Sequence, residues 1–250
     1  MIMIKKYGAS SLLVFCLLVI WEIGARAVNL GFILPTPTEV LFKLWELKEP
    51  LLLDHLPATT LVIIIGLLIS IVCGVGLAIM MSVSKTIEKT IYPLIISSQT
   101  IPIIALAPIF VLWFGYSIWS KVVVTVLITF FPITVNTYDG LRSTNKEYKD
   151  LLLTMGARKK DIFFKLQVPG CMPHFFSGLK VAVTLSVIGA AIGEWIGAQA
   201  GLGYFSRRMM TQFDGAGVFA PIVILSAVGI LLFVIVDVFE KRILKWRKTE

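Results

Sequence analysis

Apolar residues in this chain form six long runs that are separated by shorter polar segments. The runs cover about residues 10–28, 57–82, 91–114, 120–138, 177–198 and 218–238. The hydrocarbon core of a bilayer is about 30 Å thick, so a helix needs about 20 apolar residues to cross it. The runs meet this length and are longer than a soluble core helix requires. The pattern therefore predicts an all-α, polytopic membrane protein with six transmembrane helices.

The composition agrees with this class. The chain has 250 residues, of which 57% are hydrophobic and 15% are charged, whereas soluble domains carry about 45–50% apolar and about 25% charged residues. These values exclude a disordered chain and argue against a soluble enzyme. Three widely spaced cysteines, Cys16, Cys73 and Cys171, suit neither a disulfide framework nor a zinc site. No repeat or linker divides the chain, so we expect one transmembrane domain over residues 1–250.

Prolines are concentrated in the third apolar run. Pro93, Pro102 and Pro108 all lie in or beside it. Membrane helices tolerate proline when neighbouring groups satisfy the freed backbone carbonyls. The sequence therefore predicts a kinked or broken third helix.

The distribution of basic residues predicts the orientation. The net charge is +8, and if the N-terminus is cytoplasmic, seventeen of the 23 lysines and arginines lie on the cytoplasmic side. Both termini are then cytoplasmic, and residues 30–56 are external. Basic residues that flank spans explain the charge without a nucleic-acid partner.

A cleavable signal peptide is the alternative for the first run. Lys5 and Lys6, an apolar stretch and the Ala25-Arg26-Ala27 segment resemble one. The length of the stretch favours a retained helix. Glu22 and Arg26 are also four residues apart, which allows an ion pair on a helix.

Two runs contain small residues at every fourth position. Gaps of this kind let helix backbones approach closely in a membrane. We expect tight helix contacts here, with a packing role, at Gly66, Ser70, Gly74 and Ala78 and at Gly189, Gly193 and Gly197.

The longest cytoplasmic loop, residues 139–176, carries more apolar surface than a solvated connector needs. Two short helical patterns flank Gly156, which suits the left-handed position after a helix end, and Pro169 is expected to end the second helix. Arg158, Lys159 and Asp161 mark the turn between the patterns. The apolar residues are Leu151, Leu152, Leu153, Met155, Ile162, Phe163, Phe164 and Leu166.

An apolar patch of this size is expected to be buried, and two arrangements would bury it. The loop docks on a soluble partner, or it packs under the protein's own helix ends with its basic residues at lipid headgroups.

The spacing in this loop resembles the "EAA" loop in permease subunits of binding-protein-dependent ABC importers. That motif reads Glu-Ala-Ala, three residues, Gly, nine residues and Ile-x-Leu-Pro. Asp150, Leu151 and Leu152 stand at the first three positions, Gly156 at the glycine, and residues 166–169 at the last four. The acid is shortened to Asp and both alanines are replaced by leucines, departures that concern the fine geometry of the docking helix.

Further segments, in the same order along the chain, resemble the sulfonate, taurine, nitrate and pyrimidine-precursor branch of this family. They are residues 34–40 (LPTPTEV), 101–108 (IPIIALAP), 112–115 (LWFG), 130–133 (FFPI) with 136–137, and 201–204 (GLGY). The resemblance therefore covers nearly the whole chain.

The resemblance implies a type I ABC importer permease fold and a half-transporter in a bacterial or archaeal cytoplasmic membrane. It implies a second permease copy in a homodimer, two ATP-binding subunits and an extracytoplasmic solute-binding protein. The loop is then the coupling helix that lies in a cleft of the ATPase. Its implied coupling residues are Asp150, Leu151, Leu152, Gly156, Ala157, Arg158, Lys159, Asp161 and Pro169.

The chain lacks the residues that ATP hydrolysis needs. It has no Gly-x-x-x-x-Gly-Lys-Ser/Thr phosphate loop, so we expect ATP and magnesium to bind the partner ATPase and no cofactor to bind here. His55 and His174 are predicted on opposite sides of the membrane, and no metal site is expected. No catalytic constellation is evident, and we interpret the chain as a non-catalytic subunit.

Polar residues near the membrane midplane are candidates for the translocation path. They are Ser97, Ser98, Gln99 and Thr100 in the third run, Thr129 in the fourth, and Thr184 and Ser186 in the fifth. Gln99 either faces the path or bonds another helix. The hydroxyls either face the path or bond their own helix.

Glu194 is the acid inside the fifth run, near its outer end. It lines an external gate, contacts the binding protein, or forms a bridge with Arg207 or Arg208. An ion-coupled secondary transporter is the alternative class of function, but it needs buried ionisable residues, and this chain is poor in them.

The midplane carries neutral polar groups and no Arg or Lys, which favours a neutral heterocycle over an anion. Gly193-Glu194-Trp195 resembles vitamin-precursor members, for which pyrimidines are one substrate. The alternative is a sulfonate, taurine or nitrate importer.

Overall fold

The described part of the chain, residues 2–28 and 30–246, consists of helices joined by short turns in a computed structural model. Two π-helical turns, Pro50–His55 and Phe163–Gln167, lead directly into α3 and α9. No strand occurs among these residues, which confirms the all-α prediction. The helices are α1 Ile2–Val28, α2 Pro37–Glu46, α3 Leu56–Val83, α4 Lys85–Ser98, α5 Ile103–Phe114, α6 Ile118–Arg142, α7 Lys146–Thr154, α8 Lys159–Ile162, α9 Val168–Gly197, α10 Leu202–Thr211 and α11 Gly215–Ile243.

Five helical segments in the described residues are long and apolar enough to cross a bilayer, and a sixth span is formed if the bent pair α4 and α5 is counted as one. The two helices meet at 98° across the break at residues 99–102. Pro102 precedes α5 and has no N–H to continue the α4 ladder, so the helix ends at Ser98. The broken third helix is thereby confirmed.

Pro169 does not end a helix, and the prediction that it does is wrong. The chain stays helical from Lys159 to Gly197, and Pro169 lies in the first turn of α9. The π-helical turn before it shifts the hydrogen bonds, so that the N–H of Val168 donates to the carbonyl of Phe163. Proline is tolerated at this point because a π turn changes the register of the ladder just before the missing donor.

Helix α6 lies between α3 and α9 and contacts both at small residues. A Cβ atom at Gly189 would lie 2.9 Å from the Cα of Thr125, and one at Gly66 would lie 2.6 Å from that threonine's methyl group. Ser70 Oγ and Thr129 Oγ1 are 2.6 Å apart between α3 and α6. The tight contacts predicted from the small residues are confirmed, and they make α3, α6 and α9 the centre of the subunit.

Helix α1 is joined to the body near its outer end. Arg26 and Glu22 form the expected ion pair at 2.6 Å, and Glu22 also accepts hydrogen bonds from the backbone and side chain of Thr38. The ring centroids of Trp21 and Phe219 are 5.7 Å apart. Most of the α1 side chains that the structure describes are apolar and exposed, as expected of a lipid-facing helix.

Some of the basic residues that carry the orientation argument lie outside the described part. They are Arg247 and Lys248, together with the side chains of Lys5 and Lys6.

Candidate functional site

The cytoplasmic elbow, which we define as residues 146–167, turns at Gly156. Gly156 has φ +81°, and its N–H donates to the Leu153 carbonyl at 3.0 Å. The N–H of Ala157 donates to the Leu152 carbonyl at 2.9 Å. This pair of bonds is a Schellman motif, which closes a helix with a left-handed residue. The predicted left-handed position of Gly156 is confirmed.

The second arm of the elbow is stabilised by Asp161. Its carboxylate accepts a hydrogen bond from the Arg158 N–H at 3.2 Å and pairs with Lys165 at 3.2 Å. Ile162 is buried and anchors this arm to the body, and Gln167 Nε2 donates to the Leu141 carbonyl at 3.3 Å. The arm is therefore fixed at its base, next to α6, while its outer side stays free.

Four apolar side chains of the elbow are exposed on the subunit. Helix α7 has no buried residue, Met155 is 74% exposed and Phe164 is 67% exposed. Leu151 and Leu153 are also more than half exposed. The alternative in which the whole patch packs under the protein's own helix ends is therefore wrong for these four residues. The surface still calls for a covering partner.

The structure brings most of the predicted coupling residues together at this turn. Pro169 is the exception, because it is half-buried at the base of the elbow. The residues at the turn are Asp150, Leu151, Leu152, Gly156, Ala157, Arg158, Lys159 and Asp161.

Ser97 and Ser98 are the last two residues of α4, and Gln99 and Thr100 begin the break before α5. Gln99 is exposed on the subunit, and its one described side-chain bond is to its neighbour Ser98 at 3.5 Å. It makes no hydrogen bond to another helix within the described part of this subunit. Ser98 and Thr100 donate to carbonyls of their own turn at 2.7 Å.

The other hydroxyls bond their own helices, as one alternative predicted. Thr129 donates to the Thr125 carbonyl at 2.8 Å, Thr184 to Val181 at 2.8 Å and Ser186 to Val183 at 2.7 Å. Thr129 and Ser186 are fully buried, so in this structure they pack helices together and line no open path. Thr184 is exposed on a largely apolar cavity of about 580 Å³ beside Trp195.

Glu194 holds the start of α10. It is fully buried, and its Oε2 accepts a hydrogen bond from the Gly203 N–H at 2.8 Å. Two other helical elements take the preceding donors: the Gly201 N–H bonds His55 Nδ1 at 3.1 Å, and the Leu202 N–H bonds Thr59 Oγ1 at 2.8 Å. Three successive backbone donors at a helix N-terminus, which have no partner inside the helix, are thus satisfied.

These three hydrogen bonds, which we call the α10 clamp, correct the interpretation of Glu194. Neither Arg207 nor Arg208 pairs with it in the described structure, so the bridge alternative is wrong. Its burial also gives it no open external surface in this structure. Sequence reasoning missed His55 and Thr59 because they lie more than 140 positions from the backbone they bind.

We expect Glu194→Ala to destabilise the subunit by about 1–3 kcal/mol, because the buried Gly203 N–H loses its acceptor. Glu194→Gln keeps an acceptor oxygen and should retain most of the stability. Thermal unfolding of both variants in detergent measures the difference. Equal unfolding temperatures for the two variants would contradict the role given to this hydrogen bond.

No group of three His, Cys, Asp or Glu side chains suited to a metal occurs among residues 2–28 and 30–246.

Residues 66–245 match the family model described as "Binding-protein-dependent transport system inner membrane component". The chain is 59% identical to the formylaminopyrimidine transport permease protein ThiX of Halalkalibacterium halodurans, over 94% of each chain. It is 37% identical to a probable ABC transporter permease protein of Haemophilus influenzae, over 90% of this chain and 92% of the relative. It is 30% identical to the riboflavin transport system permease protein RibX of Chloroflexus aurantiacus, over 92% and 87%.

Proposed function

We propose that this chain is the permease through which a formylaminopyrimidine-type vitamin precursor is imported. The chain belongs to the family of binding-protein-dependent transport system inner membrane components. The chain is a multi-pass membrane permease subunit of an ABC importer. We also propose its substrate, its contact with the ATPase, its copy number and its orientation in the membrane.

The observation that carries the proposal is the exposed elbow. Full burial of a Leu, Met or Phe side chain contributes about 1.5–3 kcal/mol, so four exposed ones on the two arms of the elbow favour a protein partner. The ATPase is that partner in our proposal, with Leu151, Leu153 and Met155 in its cleft. Arg158 and Lys159 stand exposed at the rim, where they favour carboxylates.

The elbow is mechanically connected to the membrane part. Residues 159–197 form one uninterrupted helical segment, so a displacement of α8 is transmitted into α9. Helix α9 packs against α6 through Gly178, Gly189 and Gly193, whose Cβ positions would meet α6 atoms at 2.5–2.9 Å. Closure of an ATPase pair would therefore move α6 and α9 together, while the break between α4 and α5 offers a hinge.

We further propose that two copies of this chain form a homodimer with two ATPase subunits and one solute-binding protein. ATP and magnesium bind the ATPases in this arrangement, because this chain has no phosphate loop. The excess of basic residues between Arg142 and Lys180 supports a cytoplasmic elbow and cytoplasmic termini, in the cytoplasmic membrane of a bacterium or archaeon.

The proposed substrate rests on similarity and on the chemistry of the break. The similarity to a formylaminopyrimidine permease extends over nearly the full length of both chains. Ser97, Gln99 and Thr100 are exposed there and offer neutral hydrogen-bonding groups, which suit an uncharged heterocycle better than a sulfonate or nitrate.

Uptake by the complete transporter in proteoliposomes tests this function. We expect ATP-dependent accumulation of labelled formylaminopyrimidine at least tenfold above that of taurine or nitrate, with the solute-binding protein outside and ATP inside. Uptake that persists without the ATPase would instead support an ion-coupled transporter. A preference for taurine or nitrate would overturn the substrate alone.

A further inference from the structure

His55 belongs to the α10 clamp through one ring nitrogen. The Gly201 N–H donates to its Nδ1 at 3.1 Å. A ring nitrogen that accepts a hydrogen bond carries no proton, so the imidazole is neutral and its proton is on Nε2. The imidazolium form carries a proton on both nitrogens and cannot accept this bond. The α10 clamp therefore selects the neutral form of His55.

The ring of His55 is held in place by α10. The residue is 9% exposed, and its ring centroid lies 4.9 Å from that of Phe205 and 6.1 Å from that of Tyr204. A half-turn of the ring would put the Cδ2 carbon where Nδ1 is, so the ring offers no second acceptor at this point. The bond to Gly201 thus depends on the protonation state of Nδ1.

Gly201, the donor, is also fixed. It is buried and has φ +118°, and a Cβ atom at this position would collide with the Glu194 carboxylate. The residue therefore lies between Glu194 and His55 with little room to move. A buried N–H that loses its acceptor is destabilising, so loss of the Nδ1 lone pair would weaken the start of α10.

The charges around His55 oppose one another. Asp54, next to it in the chain, and Arg208, on α10, are the charged groups that act on the imidazole, and both are exposed. Behind the clamp, the charge of Lys121 on α6 acts on Glu194 of α9. Because each carboxylate is offset by a basic group, the backbone bond is the contact that selects the neutral ring.

The α10 clamp lies at the outer end of the helical segment that begins in the elbow. This segment covers residues 159–197, and Glu194 is in its last turn. The proposed orientation puts residues 30–56, and His55 with them, on the external side of the membrane. A change in the clamp therefore acts on the end of α9 that is opposite to the ATPase.

We propose that the bond between Gly201 and His55 is a proton-sensitive latch on α10. A proton from the external solution binds the lone pair of Nδ1, which then faces the Gly201 N–H as a second donor, and the start of α10 separates from α3. Acid outside the cell thereby loosens α10 from the outer end of α9. The latch itself is independent of the solute, whereas its effect on uptake rests on the proposed function.

His55→Asn separates the acceptor from the proton sensor. The Oδ1 of asparagine is attached like Nδ1, at the same distance from Cβ in bonds, and an amide oxygen does not titrate in this range. We therefore expect this variant to retain the bond to Gly201 at every pH tested.

Thermal unfolding of the full chain in nanodiscs tests the latch. The two conditions, about pH 7.5 and about pH 5.5, lie on either side of the ordinary histidine pKa of about 6.5. At the lower pH the unfolded chain takes up a proton that the closed latch excludes, so stability falls. We expect the unfolding temperature to fall by about 5 °C in the original protein and by less than about 2 °C in His55→Asn. Equal falls would overturn the inference.

Two further variants show whether the sensor is His55. The chain has two histidines, and the other, His174, is exposed on α9. His174→Gln should keep the pH dependence of the original protein. Glu194→Gln has no titrating carboxyl group and should keep it as well. Loss of the pH dependence in either variant, with His55→Asn unchanged, would place the sensor elsewhere and overturn the inference.

Nitrogen NMR of the chain labelled at histidine measures the tautomer directly. At about pH 7.5, above the ordinary histidine pKa, we expect one histidine to show an unprotonated Nδ1 and a protonated Nε2. That signal should be absent from His55→Asn. A proton on Nδ1 of His55 at this pH would overturn the inference.

Uptake by the complete transporter in proteoliposomes measures the effect on transport. When the external pH is lowered over the same range, we expect uptake to fall about threefold, which corresponds to about two thirds of the subunits with an open latch. His55→Asn, with the same binding protein, should lose much less. Equal losses would overturn the role of the latch in transport. If neither protein supports uptake, the proposed function falls, and the unfolding measurement still decides the latch.

Discussion

Replacing Gly156 by valine is expected to uncouple the subunit from its ATPase. A β-branched residue with φ near +81° is strongly disfavoured, so the turn would open and the two arms of the elbow would separate. A loss of about 2–3 kcal/mol in docking corresponds to a decrease of about 30–150-fold in affinity. We expect ATPase co-purification and ATP-driven uptake to fall by that amount.

Gly156→Asn is the matched control for this prediction. A Cβ atom at Gly156 would meet no atom within 4 Å, so a side chain has space and the backbone conformation alone is at issue. Asparagine adopts the left-handed conformation more readily than valine and should keep co-purification within a few-fold. Unchanged ATPase co-purification and ATP-driven uptake in Gly156→Val would show that the ATPase does not depend on this turn for its contact with the subunit.

Gly189→Ile is expected to have the largest effect on folding. Helices α6 and α9 approach so closely here that even a Cβ would lie 2.9 Å from the Thr125 Cα. A larger side chain has to push the two backbones apart, and overpacking of this kind costs about 3 kcal/mol or more. We expect the unfolding temperature in detergent to fall by about 10 °C, with reduced yield in the membrane.

Gly76→Ile is the control, because it places the same side chain on another membrane-crossing helix. Position 76 in α3 has open space around its Cβ, so isoleucine should leave the unfolding temperature within a few degrees. Equal losses at both positions would mean that any isoleucine is disruptive and would remove the argument for a tight α6–α9 contact.

The amino-acid pattern alone determined the class of the protein and the positions of its main elements. Apolar runs long enough to cross a bilayer leave few alternatives to helices, and small residues at every fourth position predict close contacts. The break in the third span could be predicted because proline acts locally on its own helix. Gly156 was predictable for the same reason, since the left-handed turn depends on residues within one helical turn.

Other features were decided only by the tertiary structure, because they depend on residues far apart in sequence. Hydrogen bonds from the start of α10 to Glu194, Thr59 and His55 bring together four elements, whereas local patterns suggested an arginine partner for Glu194. Thr129 reads as a polar midplane residue, but only the packing of α3 on α6 shows that it is buried. Pro169 was predicted to end a helix, but the π-helical turn before it changes the hydrogen-bond register and lets the helix continue past the missing N–H. Local rules thus fixed which elements form, whereas long-range packing fixed which polar groups remain exposed.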